Sequence, residues 1–124
     1  MPLKGFVDPD GNLRLMSSSK HGNKHTVVDG ITFDSKAEAA RYAELKLMLR
    51  AGTIEQLAVH VPFLLTVGGI LIAKYEADFV YYDTVTRVRI VEDVKSNGTK
   101  TREYVIKKRL MKAIHNVDIT EIMV

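Results

Sequence analysis

The chain has 124 residues, 46% of them hydrophobic and 27% charged, which is enough apolar surface for one compact folded domain and too little length for two. Cysteine is absent, excluding a disulfide scaffold, a thiolate metal cluster and a cysteine nucleophile, and fitting a reducing cytoplasm. A formal net charge of +3 and a pI ≈ 9.2 lean toward a polyanionic partner.

Residues 1–25 read as a basic N-terminal arm or hairpin ahead of one mixed α/β domain over 26–124. The string Asp8-Pro9-Asp10-Gly11-Asn12 starts like a calcium loop, but its glycine comes at the fourth position and no closing glutamate follows, so a plain turn is expected. Lys20, His21, Lys24 and His25 make this arm either a disordered basic tail or a second DNA contact. Asp29-Gly30 between Thr26–Val28 and Ile31–Phe33 signals a tight hairpin. Ser35 is a good helix cap, and helix-forming residues run to Ala51 before Gly52 supplies the stop.

Two apolar-rich strands, 57–67 and 70–82, are joined by Gly68-Gly69 and should pair antiparallel. The stretch Val59–Ala73 is broken by His60, Pro62, Thr66 and the glycine pair, so it falls short of a membrane-spanning helix, and no apolar signal core opens the chain. A third strand covers 87–95, and residues 96–100 form a Ser-Asn-Gly loop. A basic amphipathic helix is expected over 102–115 and a last strand over 117–123. The fold class is α/β, a central mixed sheet flanked by helices.

Four charged residues sit where bland patterning would not put them. Glu38 projects on the helix face of Tyr42, Leu45 and Leu49, where it either completes a capping box with Ser35 or reaches a metal or partner. Asp78 interrupts a strand between Ala77 and Phe79, although aspartate is disfavoured there. Asp93 and Lys95, two apart, share one strand face with Val91, while Glu92 points the other way with Ile90 and Val94. Read alone, Asp93 and Lys95 could be a surface ion pair of little worth. Taken together, acids on adjacent strands with a lysine beside them match what phosphodiester hydrolysis needs: hard oxygen ligands, an oriented water and positive charge near the phosphate.

This set resembles the PD-(D/E)XK nuclease superfamily, in which an aspartate on one strand precedes an acid-any-lysine string on the next, here Asp78 and Asp93-Val94-Lys95. The ordered strings FDSKAEA, YEADF, EDVK and a later YxxK look like a family of small phage-encoded nucleases, over about residue 24 to the end. The resemblance implies a restriction-endonuclease-like core with Glu38, Asp78, Asp93 and Lys95 as catalytic residues. It further implies a magnesium ion, or manganese in its stead, held by Asp78, Asp93, Glu38 and the carbonyl of Val94. Tyr104 and Lys107 match the YxxK, which the resemblance makes a phosphate or substrate contact. His60 stands where glutamine is expected and Ser96 where glycine is expected. His60 either touches substrate or metal, or is a hydrogen-bonded core residue.

Arg102, Tyr104, Lys107, Lys108, Arg109 and Lys112 on the second helix are the expected DNA-binding residues, alternatively a solvated face. Since no base-reading module is visible, recognition of DNA shape is expected. By resemblance, the function is a structure-selective DNA endonuclease, a hydrolase such as a Holliday-junction resolvase of phage recombination, working as a homodimer in the host cytoplasm. The alternatives are a nicking, end-trimming or restriction-like nuclease of the same fold, or a non-catalytic DNA-binding protein.

Overall fold

A computed structural model describes residues 25–95 and 100–124 in full and the backbone of residues 5–7 and 13–15. The chain divides into two compact units, Met1–Ala40 and Arg41–Val124.

The first unit contains two short hairpins. Strands β1 (Gly5–Val7) and β2 (Leu13–Leu15) pair antiparallel, with Phe6 opposite Arg14. The turn expected over Asp8–Asn12 and the basic residues Lys20, His21 and Lys24 lie outside the described residues. Strands β3 (Thr26–Val28) and β4 (Ile31–Phe33) pair antiparallel around Asp29-Gly30. Both turn residues are left-handed, at φ 54° and 78°, as a two-residue turn matching strand twist requires. The cap forms as the sequence indicates, with the Glu38 amide donating to Ser35 Oγ at 3.1 Å.

Helix α1 (Lys36–Ala51) begins in the first unit and continues into the second. It stops at Gly52 (φ 82°), whose amide reaches Leu49 O, while the Thr53 amide reaches Met48 O, so left-handed glycine satisfies carbonyls the helix leaves open. In the second unit a four-stranded sheet runs in the order β5 (Ile54–Val67), β6 (Ile70–Asp83), β7 (Val88–Lys95), β8 (Thr120–Met123). The first three strands are antiparallel, and β8 joins parallel to β7. That parallel pairing needs a crossover, supplied by α2 (Arg102–His115), which Thr101 caps and left-handed Asn116 ends. The architecture is therefore mixed α/β, and no helix among the described residues is long and apolar enough to cross a membrane.

Two details depart from the pattern-based reading. Strand β5 starts at Ile54 rather than 57, because a register shift between Glu55 and Ala58, with Gln56 at φ 58°, lets the strand begin earlier and bulge. Strand β8 starts only at Thr120, since residues 117–119 serve to bring the chain from α2 to the sheet edge.

Around β7 and the adjoining half of β6 the sheet is covered on both faces, whereas the far half of the β5–β6 hairpin leaves Leu64 and Ile72 exposed. On one face, Tyr75, Ala77, Val80 and Val91 pack with Tyr104 and Met111 of α2. On the other, Tyr42 of α1 stacks on Phe79 at 6.3 Å and Leu45 is fully buried, but Leu49, expected in the same stripe, is 39% exposed. Burial of each large apolar side chain contributes roughly 1.5–3 kcal/mol, so this double layer fixes the middle strands that carry the charged residues.

Candidate active site

The site begins where two strands part. The β6–β7 ladder runs from Asp83↔Val88 to Phe79↔Glu92 and ends there. Next to that end, the β5–β6 ladder steps from Val59↔Phe79 to Val61↔Ala77, passing over His60 and Asp78, and His60 adopts φ 55°. Side-chain alternation breaks at the same point: Tyr75, Ala77 and Val80 share the α2-side core, whereas Phe79 and Tyr81 contact groups on the α1 side. Asp78 occupies this break. Its Oδ2 accepts the Val94 amide at 2.7 Å, standing in for the backbone carbonyl that a continued ladder would offer.

Beyond the fork, β7 presents Asp93 and Lys95. Asp93 is 7% exposed, and the Lys95 ammonium lies 2.8 Å from its Oδ2. That contact is close but not aligned as a hydrogen bond, so Asp93 Oδ2 is a buried anionic oxygen without one. Lys95 Nζ also sits 3.4 Å from the centroid of the Tyr104 ring. The Tyr75 hydroxyl is likewise buried with no hydrogen-bond partner, and burial first, then the charges of Asp93, Asp78 and Glu121, push it above the usual tyrosine range. These two buried polar atoms have hydrogen-bonding capacity that the described protein groups do not meet.

Glu121 completes the electrostatics. It pairs with Asp93 across the parallel ladder, and its carboxylate takes Lys100 Nζ at 2.7 Å, Lys108 Nζ at 2.9 Å and the Tyr104 hydroxyl at 2.7 Å. The Lys100 contact above all, then Lys108 and Tyr104, holds its pKa down to about 2 despite desolvation. On the opposite face, Glu92 is fully buried and accepts the Arg41 Nε and Nη2 at 2.9 and 2.6 Å together with the Tyr81 hydroxyl. The Glu92 hydrogen bonds, working against desolvation, raise Arg41 above the usual arginine range.

The sequence-derived set is distributed as follows. Asp78 bonds the Val94 amide and Asp93 lies against Lys95 in the second unit, while Glu38 belongs to the first, where its backbone amide, not its carboxylate, meets Ser35 Oγ and its Oε1 is shielded from solvent. Tyr104, expected against DNA, is 8% exposed and bonded to Glu121. Lys107 pairs with Glu103 at 2.9 Å, Lys108 with Glu121, and Lys112 with Asp118 at 2.9 Å. Arg102 and Arg109 are exposed and form no ion pair among the described residues. A cleft of ≈ 330 Å³ opens beside α2, lined by Lys100, Lys108, Arg109, Lys112 and one acid, Asp118, over Val105, Val117 and Ile119. Ser96 lies outside the described residues.

Glu121, Tyr75 and the Arg41–Glu92 pair escaped the motif-based reading. The only local signal for Glu121 was an acid inside the strand string ITEIMV. Among the described residues, no group of three or more His, Cys, Asp or Glu side chains is arranged to hold a metal ion. The donor set at the fork is instead two carboxylates beside a backbone segment, hard oxygens of the kind that magnesium takes when water and phosphate complete its shell.

The chain belongs to the family described as Protein of unknown function (DUF1064), whose model matches residues 18–123. No curated protein and no solved structure matches it.

Proposed function

We propose that this protein is a magnesium-dependent DNA endonuclease. The observation that carries the reading is the fork itself: the β6–β7 ladder stops at Phe79↔Glu92, and Asp78, Asp93 and Lys95 gather at the opening. Strand parting is costly in unmet backbone hydrogen bonds, and here the Asp78 carboxylate meets one of them, so the aspartate both opens the sheet and lines the gap. Asp93 and Asp78, with the Val94 carbonyl, would hold the ion, and the buried oxygen of Asp93 without a hydrogen bond suits a cation. When bound, such an ion offsets charge on the phosphate and makes its water a better nucleophile. Lys95 orients that water or balances the phosphate oxygens, and its ion pair with Asp93 keeps the ammonium ready beside the carboxylates.

DNA would approach along α2, where the exposed Arg102 and Arg109 and the cation-lined cleft offer phosphate contacts. These contacts read shape rather than base sequence, which favours branched DNA such as a four-way junction, cut by a homodimer in the cytoplasm. The test is incubation with four-way junction, flap, linear duplex and single-stranded DNA, with magnesium or with EDTA. Magnesium-dependent cleavage that disappears in Asp93→Asn is the expected result. Cleavage that persists in EDTA overturns the metal mechanism. Equal cutting of every substrate would replace junction resolution by nicking or trimming, and DNA binding without cleavage would leave a non-catalytic binder.

A further inference from the structure

The position of Lys95 depends on a side chain of α2, nine residues further along the chain, as well as on Asp93 of its own strand. Lys95 is the last residue of β7, where strand constraint ends, and its long side chain would otherwise sample many rotamers. Two contacts restrict it: Asp93 Oδ2 at 2.8 Å, misaligned for a hydrogen bond, and the face of Tyr104 at 3.4 Å. The second lies well inside the range of about 6 Å over which a ring attracts an ammonium, and the ring is shielded from water, which strengthens the attraction.

The ring is itself held at three points. The Tyr104 amide donates to Thr101 Oγ1 at 3.0 Å, which places Tyr104 in the first turn of α2. Its hydroxyl donates to Glu121 Oε2 at 2.7 Å. The ring packs into the core cluster that includes Val91 and Met111. Glu121 is in turn set opposite Asp93 by the β7–β8 register. The contacts therefore close a loop, Asp93 to Lys95 to Tyr104 to Glu121 and back through the parallel ladder.

We infer that Tyr104 is a positioning residue, whose ring face, oriented by Glu121, holds the Lys95 ammonium beside Asp93 before any substrate arrives. What Lys95 then does rests on the nuclease reading; the holding does not. If the ammonium turns from Asp93 toward a phosphate oxygen, the ring contact persists, so the lysine pivots on a fixed platform instead of being released to solvent. Phenylalanine at this position keeps the platform and loses its anchor, whereas leucine removes the platform.

The experiment compares the full chain with its Tyr104→Phe, Tyr104→Leu and Glu121→Gln variants by NMR and by magnesium-dependent DNA cleavage, with melting curves to verify folding. The Lys95 Cε methylene protons, assigned through Lys95→Arg, are expected to be shifted upfield by the ring in the parent chain and in Tyr104→Phe, and to return to ordinary lysine positions in Tyr104→Leu. Expected kcat losses are about threefold for Tyr104→Phe and about thirtyfold for Tyr104→Leu with KM little changed, the size of a desolvated cation–π contact converted to a rate. Unshifted Lys95 signals in the parent chain overturn the inference even if Tyr104→Leu fails to fold. Cleavage by Tyr104→Leu at the parent rate also overturns it, while leaving the nuclease reading intact. A shifted Lys95 in a chain that cuts no DNA supports the holding and removes the nuclease reading.

Discussion

Glu92 and Asp93 are neighbours on β7, both buried, and they face opposite sides of one sheet with opposite fates. Glu92 has every obligation met: a bidentate Arg41 guanidinium and the Tyr81 hydroxyl neutralise and bond it. Asp93 has a lysine close by, yet one carboxylate oxygen lacks a hydrogen bond, and the nearby Tyr75 hydroxyl lacks one too. Burying charge is tolerated when it is fully paired, and a buried polar atom short of a hydrogen bond calls for a further partner, whether water, an ion or a ligand. The α1 side therefore reads as a clamp on β7, and the α2 side as a site whose electrostatics are left partly open.

The largest effect should come from breaking the clamp. Arg41→Ala leaves Glu92 buried without its counterion and is expected to cost about 3–5 kcal/mol in urea unfolding, most of which the double variant Arg41→Met/Glu92→Leu should restore. A single-variant loss below about 1 kcal/mol would mean that the pair is not holding the strand. On the open side, Asp93→Asn should behave in the reverse way. It removes a buried charge that is incompletely bonded, so the unfolding midpoint should stay level or rise, while magnesium-dependent cleavage should fall by about 100-fold or more. A variant that loses both together would blur the contrast between the two faces.

Glu121 sharpens it through pH. Its folded-state pKa, about 2, lies below the ordinary glutamate value of 4.5, so its contribution to stability is complete above that ordinary value and is lost as pH falls toward 2. Urea midpoints taken between pH 6 and about pH 2.5 should show the parent chain losing ground to Glu121→Gln over that window. Parallel curves for the two proteins would remove the carboxylate from the account. The smallest effect belongs to the rim. Lys112→Ala severs an exposed pair with Asp118 and should change stability by less than about 0.5 kcal/mol, while lowering the salt slope of DNA binding by about one if Lys112 meets a phosphate.

Much of the scaffold was legible because it is written locally. Asp29-Gly30 needs only two left-handed residues, Ser35 and Gly52 bracket α1 by capping chemistry, and the strands follow from apolar runs. Asp78 was legible as an aspartate where strands disfavour one, and Asp93 and Lys95 through the acid-any-lysine resemblance; in the structure Asp78 bonds the Val94 amide and Asp93 lies against Lys95. The fork was not legible, because where the β6–β7 ladder ends, and that the β5–β6 ladder skips His60 and Asp78 beside it, are relations fixed by register and not by any local string. Nor could any spacing rule place Glu121 beside Asp93 or Arg41 beneath Glu92, since both depend on which elements neighbour β7. Tyr104, read as a DNA contact from the YxxK resemblance, and Lys108, read so from the basic helix, both bond Glu121, a partner that neither signal could name.

The parallel attachment of β8 also has a bearing on when the site comes into being. Hairpin β5–β6 closes through a two-residue turn and needs little chain diffusion, and β7 adds by another short turn. Tyr104 and Glu121 reach Lys95 and Asp93 only after α2 has crossed over and β8 has docked, a contact between segments far apart along the chain. Pulsed hydrogen exchange should find the β5–β6 amides protected before those of residues 120–123. In that order a nascent chain acquires its sheet early and its charged centre last, so an incompletely folded copy presents the acids of β6 and β7 without the lysine held in place beside them.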